Sequence, residues 1–181
     1  MTVKLEVKNT ITYDDLPPTP LLVSRVAANA PTLTPFLGNV QQYTFLAGDE
    51  AHSATEITHD YHEGTDIKPH VHWATNGTDV TDRYVKWEIE YTLSNGNEAF
   101  GAPIVITTET LIPANTPAKT YFITGFSAID GTNLKIGAYI LWRFRRIAST
   151  GLSPSTNPFG LAVGFHMQKD AYGSRYTYSK R

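Results

Sequence analysis

The segment YVKWEIEYTL, residues 84–93, decides the fold class of this chain. Its large apolar residues fall on alternate positions: Val85, Trp87, Ile89, Tyr91 and Leu93. Charged or polar residues fill the positions between them. Successive side chains of a β-strand point to opposite faces. The pattern therefore predicts a strand with one face in a core and the other in solvent.

Further strands are predicted on both sides of this segment. They are short apolar or β-branched stretches bounded by turn residues: Val40–Leu46, Thr55–Tyr61, His70–Ala74, Pro103–Thr110, Lys119–Ile129, Lys135–Ile147 and Phe159–Gln168. In Lys135–Ile147, the apolar face includes Trp142 and Phe144, and Arg143 and Arg145 lie opposite. About eight short strands without a convincing amphipathic helix predict an all-β fold. We expect a jelly roll or β-sandwich of about eight antiparallel strands, with its body over residues 39–170.

Residues 1–38 are predicted to form a short strand followed by an extended arm. Met1–Lys8 alternates in polarity as a half-buried strand does. Asp14–Gly38 contains five prolines, which remove backbone donors and favour extended conformations: Pro17, Pro18, Pro20, Pro31 and Pro35. Leu21 and Leu22 are too apolar for a solvated linker, so we expect the arm to lie on the body or on a neighbouring subunit. A short helix over Leu21–Ala28 is an alternative.

The composition excludes several classes of site. The chain has 181 residues, 41% of them hydrophobic and 18% charged, which fits one globular domain. It has no cysteine, which excludes disulfides, thiolate metal sites and cysteine nucleophiles. No run of eighteen apolar residues and no signal-peptide layout are present, so we expect a soluble protein made in the cytosol. The net charge of −2 predicts neither nucleic acid nor membrane as a partner.

The charges are distributed unevenly along the chain. Six acidic residues and no lysine or arginine lie between Asp49 and Asp66, whereas eight lysines and arginines and one acid follow Gly131. Two arrangements account for this asymmetry. An acidic surface of one subunit could meet a basic surface of its neighbour, or strand pairing could bring the two segments together within one chain. The polar, basic tail over residues 171–181 offers a further docking point at Arg175.

Three of the six histidines lie in YHEGTDIKPHVHW, residues 61–73. His70 and His72 are two residues apart in a predicted strand and therefore share a face. Two imidazoles on one face begin a metal site, which needs three or four ligands. The third-ligand candidates are the other polar residues near them in sequence: His62, Glu63 and Asp79.

The spacing of Gly64, His70 and His72 is similar to the opening of the cupin signature. The rest of that signature is missing. The positions for its glutamate hold Asn76 and Gly77, the position for its last histidine holds Val163, and His166 lies three residues too late. We therefore interpret His70 and His72 as structural residues and predict no metal, cofactor or catalytic residue. Metal binding by His70, His72 and His62 is the alternative.

Three segments together resemble a group of small β-rich virion proteins of tailed bacteriophages: HVHW at 70–73, WEIEY at 87–91 and FHMQKDAYGSRYTYSK at 165–180. The resemblance covers roughly residue 60 to the C-terminus and includes the order of the segments. It implies a jelly roll that decorates capsids or forms part of a tail or fibre. It also implies a symmetric oligomer, often a trimer, and carries no catalytic residues.

We therefore expect a non-enzymatic virion protein, most simply a homotrimeric capsid decoration or cement protein that contacts the major capsid protein. Its expected subunit or capsid contacts are spread over the arm, one strand and the tail: Pro17, Pro18, Leu21, Leu22, Arg143, Arg145 and Arg175. A tail, collar, fibre or spike component, with host-glycan binding by exposed aromatic residues, is the close alternative. A cupin-like metal-binding protein or enzyme is the alternative of another class.

Overall fold

The structure, a computed structural model, describes residues 12–17, 21 and 29–170. These residues form an all-β fold, as predicted, and contain no helix. They form ten strands rather than about eight: β1 (Thr12–Asp15), β2 (Thr32–Leu37), β3 (Val40–Thr44), β4 (Glu50–Glu56), β5 (Lys68–Ala74), β6 (Arg83–Ser94), β7 (Ile104–Ile112), β8 (Tyr121–Gly125), β9 (Tyr139–Ile147) and β10 (Phe159–Lys169). Within the described part of the chain, no helix is long and apolar enough to cross a membrane.

The strands make two antiparallel sheets that pack as a sandwich. The six-stranded sheet has the order β2-β3-β10-β5-β8, and β1 pairs with β10 beside β3. The four-stranded sheet has the order β4-β9-β6-β7. Most of the strands that pair with each other are distant in sequence. Two strands from the N-terminal part of the described chain, β1 and β3, pair with the last strand, β10.

The apolar face predicted for residues 84–93 is confirmed. In β6, Val85, Trp87 and Ile89 are fully buried between the two sheets. Trp87 stacks on Phe144 of β9, with ring centroids 4.7 Å apart, and meets Trp73 of β5 edge to face. Large aromatic rings from both sheets therefore fill the centre of the sandwich.

Within residues 1–38, the described segments include two strands of the body, β1 and β2, and the extended arm as a whole stays a prediction. Leu16 is buried and its backbone N–H donates to the Phe165 carbonyl over 3.0 Å, directly after β1. Leu21 packs against the core, so these residues lie on their own chain. β2 was not predicted from the sequence because this strand contains Pro35. Proline is tolerated here because β2 is an edge strand and because its pairing with β3 shifts register next to Pro35.

Three predicted strands have wrong boundaries, and one of them, Lys119–Ile129, is shortened to β8. The predicted strand Thr55–Tyr61 is displaced, because β4 occupies Glu50–Glu56 and buries the small side chains of Ala51 and Ser53, which give little hydrophobic signal. The predicted strand Lys135–Ile147 begins only at Tyr139, since Gly137 adopts a positive φ of 70° in the preceding turn. The predicted strand Met1–Lys8 and the alternative helix over Leu21–Ala28 lie outside the described residues, the latter except for Leu21.

Candidate functional site

A cluster of three histidines and one aspartate lies on the outer face of the six-stranded sheet. His70 and His72 come from β5, His166 from β10 and Asp15 from β1. The core-facing residues alternate with them along β5 and β10, so these side chains point away from the core. Asp15 lies opposite His166 in the β1–β10 register, which brings the carboxylate to the cluster.

The side-chain nitrogen and oxygen atoms of the cluster lie close to one another. The Nε2 of His166 is 3.1 Å from Oδ1 of Asp15, and the Nε2 of His70 is 3.8 Å from the same oxygen. The rings of His70 and His166 stack with their centroids 4.2 Å apart. One ligand atom from each of Asp15, His70 and His166 lies within 4.8 Å of the other two. His72 adjoins them, with its Nε2 3.0 Å from the Nε2 of His70.

His70 is held at the centre of the cluster, although it lies on an outer face. Only 4% of the residue is exposed. Its ring lies over Gly164, the residue opposite it on β10, where an added Cβ would stand 2.4 Å from Nε2. Its Nδ1 is buried and makes no hydrogen bond of ordinary geometry. The absence of a side chain at Gly164 therefore creates the space that the imidazole occupies.

The surroundings keep the two β5 histidines uncharged at neutral pH. Burial, followed by the nearby His166 and His72 rings, lowers the pKa of His70, and the backbone of Lys68 opposes this shift only in part. Burial also lowers the pKa of His72, although the Asp15 carboxylate acts in the opposite direction. Neutral imidazoles keep the lone pair that a metal ligand needs.

His72 also contacts the edge strand β8. Its Nδ1 hydrogen-bonds to the hydroxyl of Tyr121, and the two rings are nearly parallel with centroids 5.9 Å apart. His70 and His72 thus share a face, as the sequence predicted. A contact chain runs across the outer sheet face from Tyr121 through both histidines to Asp15.

The structure does not bring the third-ligand candidates chosen from sequence into the group of Asp15, His70 and His166. His62 is exposed and is not part of the cluster. Glu63 instead accepts a hydrogen bond from the backbone N–H of Ile136 over 3.1 Å. Asp79 forms an ion pair with Arg83 at 3.2 Å.

The partners that the structure provides are His166 and Asp15. His166 alternates with buried Phe165 and Met167, which is a strand signal, but only the pairing of β10 with β5 brings it to His70. No sequence signal marks Asp15, because it lies in the segment interpreted as an arm.

A second polar cluster lies on the outer face of the four-stranded sheet and accounts for the uneven charges. Arg143 of β9 lies 3.2 Å from Glu50 of β4 and 2.7 Å from Glu90 of β6. Arg145 lies 2.7 Å from Glu88. Elsewhere, Lys169 lies 2.7 Å from Asp60. Of the two arrangements considered from sequence, strand pairing within one chain is the one observed.

The remaining expected contact residues are divided between the surface and the part of the chain that is not described. Pro17 is exposed and Leu21 is half-buried against the core. Pro18, Leu22 and Arg175 lie outside the described residues. A role for Arg143 and Arg145 in subunit or capsid contact stays a prediction, and it would have to coexist with their ion pairs.

Comparison with known proteins gives no assignment. No protein-family model and no curated protein matches the sequence. The chemistry of the outer-face cluster therefore has to be argued from its residues. Histidine nitrogens and a carboxylate oxygen form a donor set of the kind that zinc and other divalent transition metals take.

Proposed function

We propose that the protein is a structural component of a tailed-bacteriophage virion, most simply a capsid decoration or cement protein that assembles as a homotrimer. The motif resemblance and the all-β sandwich support this proposal. The observation that carries it is the apolar surface of the β2–β3 hairpin. Leu33, Leu37 and Val40 of this hairpin are 51%, 61% and 58% exposed.

The hairpin lies at one end of the six-stranded sheet, and the other end also exposes apolar residues. β2 is the last strand at its end, and β8 closes the opposite end with exposed Tyr121 and Ile123. An open sheet edge with large exposed apolar side chains favours pairing with another chain. Since the two ends differ, joining them gives a head-to-tail contact, and a contact of this kind forms a ring such as a trimer when the rotation between subunits closes.

The mass of the purified protein by light scattering tests the assembly. We expect a species near three times the chain mass of 20.0 kDa. Introducing charge with Leu33→Asp and Leu37→Asp should reduce the mass to that of a monomer, because a carboxylate in an apolar contact is costly to desolvate. Val80→Asp is the matched control, since Val80 is 79% exposed in a loop between β5 and β6. A monomeric wild-type protein at tens of micromolar would contradict the proposal.

Antibody labelling of virions produced from the encoding genome separates the two virion roles. Labelling over the head supports the decoration or cement role. Labelling on the tail, collar or fibres supports the alternative, in which the same fold serves a tail structure and its exposed aromatic residues contact host glycans. Virions without label would overturn both roles.

A further inference from the structure

We propose that Asp15, His70 and His166 bind one divalent transition metal ion, zinc in the first place, and that the metal fastens the N-terminal strand β1 to the six-stranded sheet. This inference does not depend on the virion role. It rests on the positions of three side chains from three strands, on the buried central imidazole and on the pairing of β1.

The distances between the ligand atoms suit a tetrahedral ion. Bonds of about 2.0–2.1 Å to histidine nitrogen and carboxylate oxygen place neighbouring tetrahedral ligands about 3.3 Å apart. The observed separations from Asp15 Oδ1 are 3.1 Å to His166 Nε2 and 3.8 Å to His70 Nε2, which bracket that value. The third separation, between the ligand nitrogens of His70 and His166, is within 4.8 Å, and the two rings are stacked, so these rings must turn as well as shift to share one ion.

The buried His70 ring is the second observation that points to a ligand. The residue is 4% exposed, its Nδ1 makes no hydrogen bond of ordinary geometry, and the hydrogen-bond partner of its Nε2 is a second imidazole nitrogen, Nε2 of His72. With the proton on Nδ1, the lone pair of Nε2 can coordinate a metal ion at this position. Metal entry replaces the 3.0 Å contact between the Nε2 atoms of His70 and His72.

The site is accessible from solvent on one side only. The Asp15 side chain is 60% exposed and that of His166 is 44% exposed, so an ion can enter past them. Gly164 closes the opposite side, because the His70 ring lies directly against its backbone. Three protein ligands leave the fourth position to solvent on the exposed side.

The consequence of binding is mechanical, because the ligands come from β1, β5 and β10. The four residues of β1 pair only with β10 in the described part of the chain. The described part of the chain adds one further backbone bond, from Leu16 N–H to the Phe165 carbonyl. A metal bound by Asp15 adds a strong cross-strand link at the end of this short strand. A metal ion that binds only when β1 is docked favours the docked state by a factor of one plus the ratio of metal concentration to Kd, so opening of β1 should be suppressed about 100-fold at a metal concentration of 100 Kd.

Calorimetric titration of the full chain with ZnCl2, after removal of metal with a chelator, tests the site. We expect one zinc per chain, with affinity lowered at least about tenfold in Asp15→Asn and in His166→Gln. His52→Gln is the matched control, because His52 also faces a carboxylate, Glu50 at 3.7 Å, on the outer face of the other sheet. Circular dichroism would check that the variants are folded. Absence of binding below about 10 μM zinc, or equal affinity in all variants, would overturn the site.

Hydrogen exchange on the same samples tests the fastening of β1. Zinc should slow exchange of the Leu16 amide and of the β1 amides in the wild type, but not in Asp15→Asn. The amides of the distant hairpin β2–β3 serve as an internal reference. Zinc binding without added protection of β1 would leave a metal site but overturn its role as a fastener.

Discussion

Replacing Gly164 by alanine tests the geometry of the histidine cluster directly. A Cβ at this position would stand 2.4 Å from Nε2 and 2.6 Å from Cε1 of His70, so the imidazole would have to move. The ring is buried, and overpacking of a buried site typically costs about 1–3 kcal/mol. The variant should therefore lose stability and displace the ring from its position near Asp15.

Gly125→Ala is a matched control on the other side of the same histidine. Gly125 lies opposite His70 on β8, and a Cβ there would meet nothing within 4 Å. Both substitutions restrict the unfolded chain, an effect worth about 0.4–1 kcal/mol that largely cancels between them. The difference between the two variants thus isolates the overpacking at Gly164. We expect Gly164→Ala to be less stable by about 1–3 kcal/mol, or roughly 2–12 °C in Tm for a chain of this size.

Urea denaturation followed by tryptophan fluorescence measures this difference, in buffer with a chelator so that no metal contributes. Trp73 and Trp87 are fully buried in the core and should report unfolding of the whole sandwich. Equal midpoints for the two variants would refute the reasoning. The His70 ring would then not lie against Gly164, and the proposed ligand geometry would lose its support.

Two further predictions concern buried and paired charges. Arg146 is 2% exposed and donates to the Phe45 carbonyl over 2.8 Å. Arg146→Ala should cost about 1–3 kcal/mol in urea denaturation, because it leaves this buried carbonyl without its partner. Arg145→Ala, at an outer-face ion pair, should cost less, and equal costs would contradict this account. Burial raises the pKa of Asp60, but the hydrogen bonds from Lys169, Thr58 and the backbone together with the Lys169 charge outweigh it, so the net pKa is lowered below 3.8. Because this stabilisation is present above 3.8 and lost as pH falls, Asp60→Asn should flatten the decrease in urea midpoint between about pH 5 and pH 3; an unchanged slope would contradict it.

The strands that sequence predicted well are those with a large apolar residue at every second position. In β6 and β9, alternate residues such as Trp87 and Phe144 face the core, so the period of two is visible without knowledge of the partners. β4 turns small side chains toward the core, and β2 contains Pro35. Whether these two segments form strands depends on the strands that lie next to them in the sheets. The sequence of each segment alone does not contain this information.

The same distinction explains how much of the candidate site could be predicted. The period of a strand places His70 and His72 on one face whatever the topology. The contribution of His166 depends on the register between β10 and β5, and that of Asp15 depends on β1 pairing with β10. Third ligands were sought near the histidines in sequence, whereas the sheet places them 96 and 55 positions from His70.

The hairpin part of the proposed assembly surface and the proposed metal site can be tested independently because they contact different ends of β10. The hairpin β2–β3 reaches β10 at its first residue, where Phe159 pairs with Thr44. β1 pairs with the last four residues of the same strand, from His166 to Lys169. Loosening β1 by removing the metal therefore leaves the hairpin contact in place. Conversely, charge at Leu37 alters the assembly surface without touching a ligand, so failure of one proposal would not be mistaken for failure of the other.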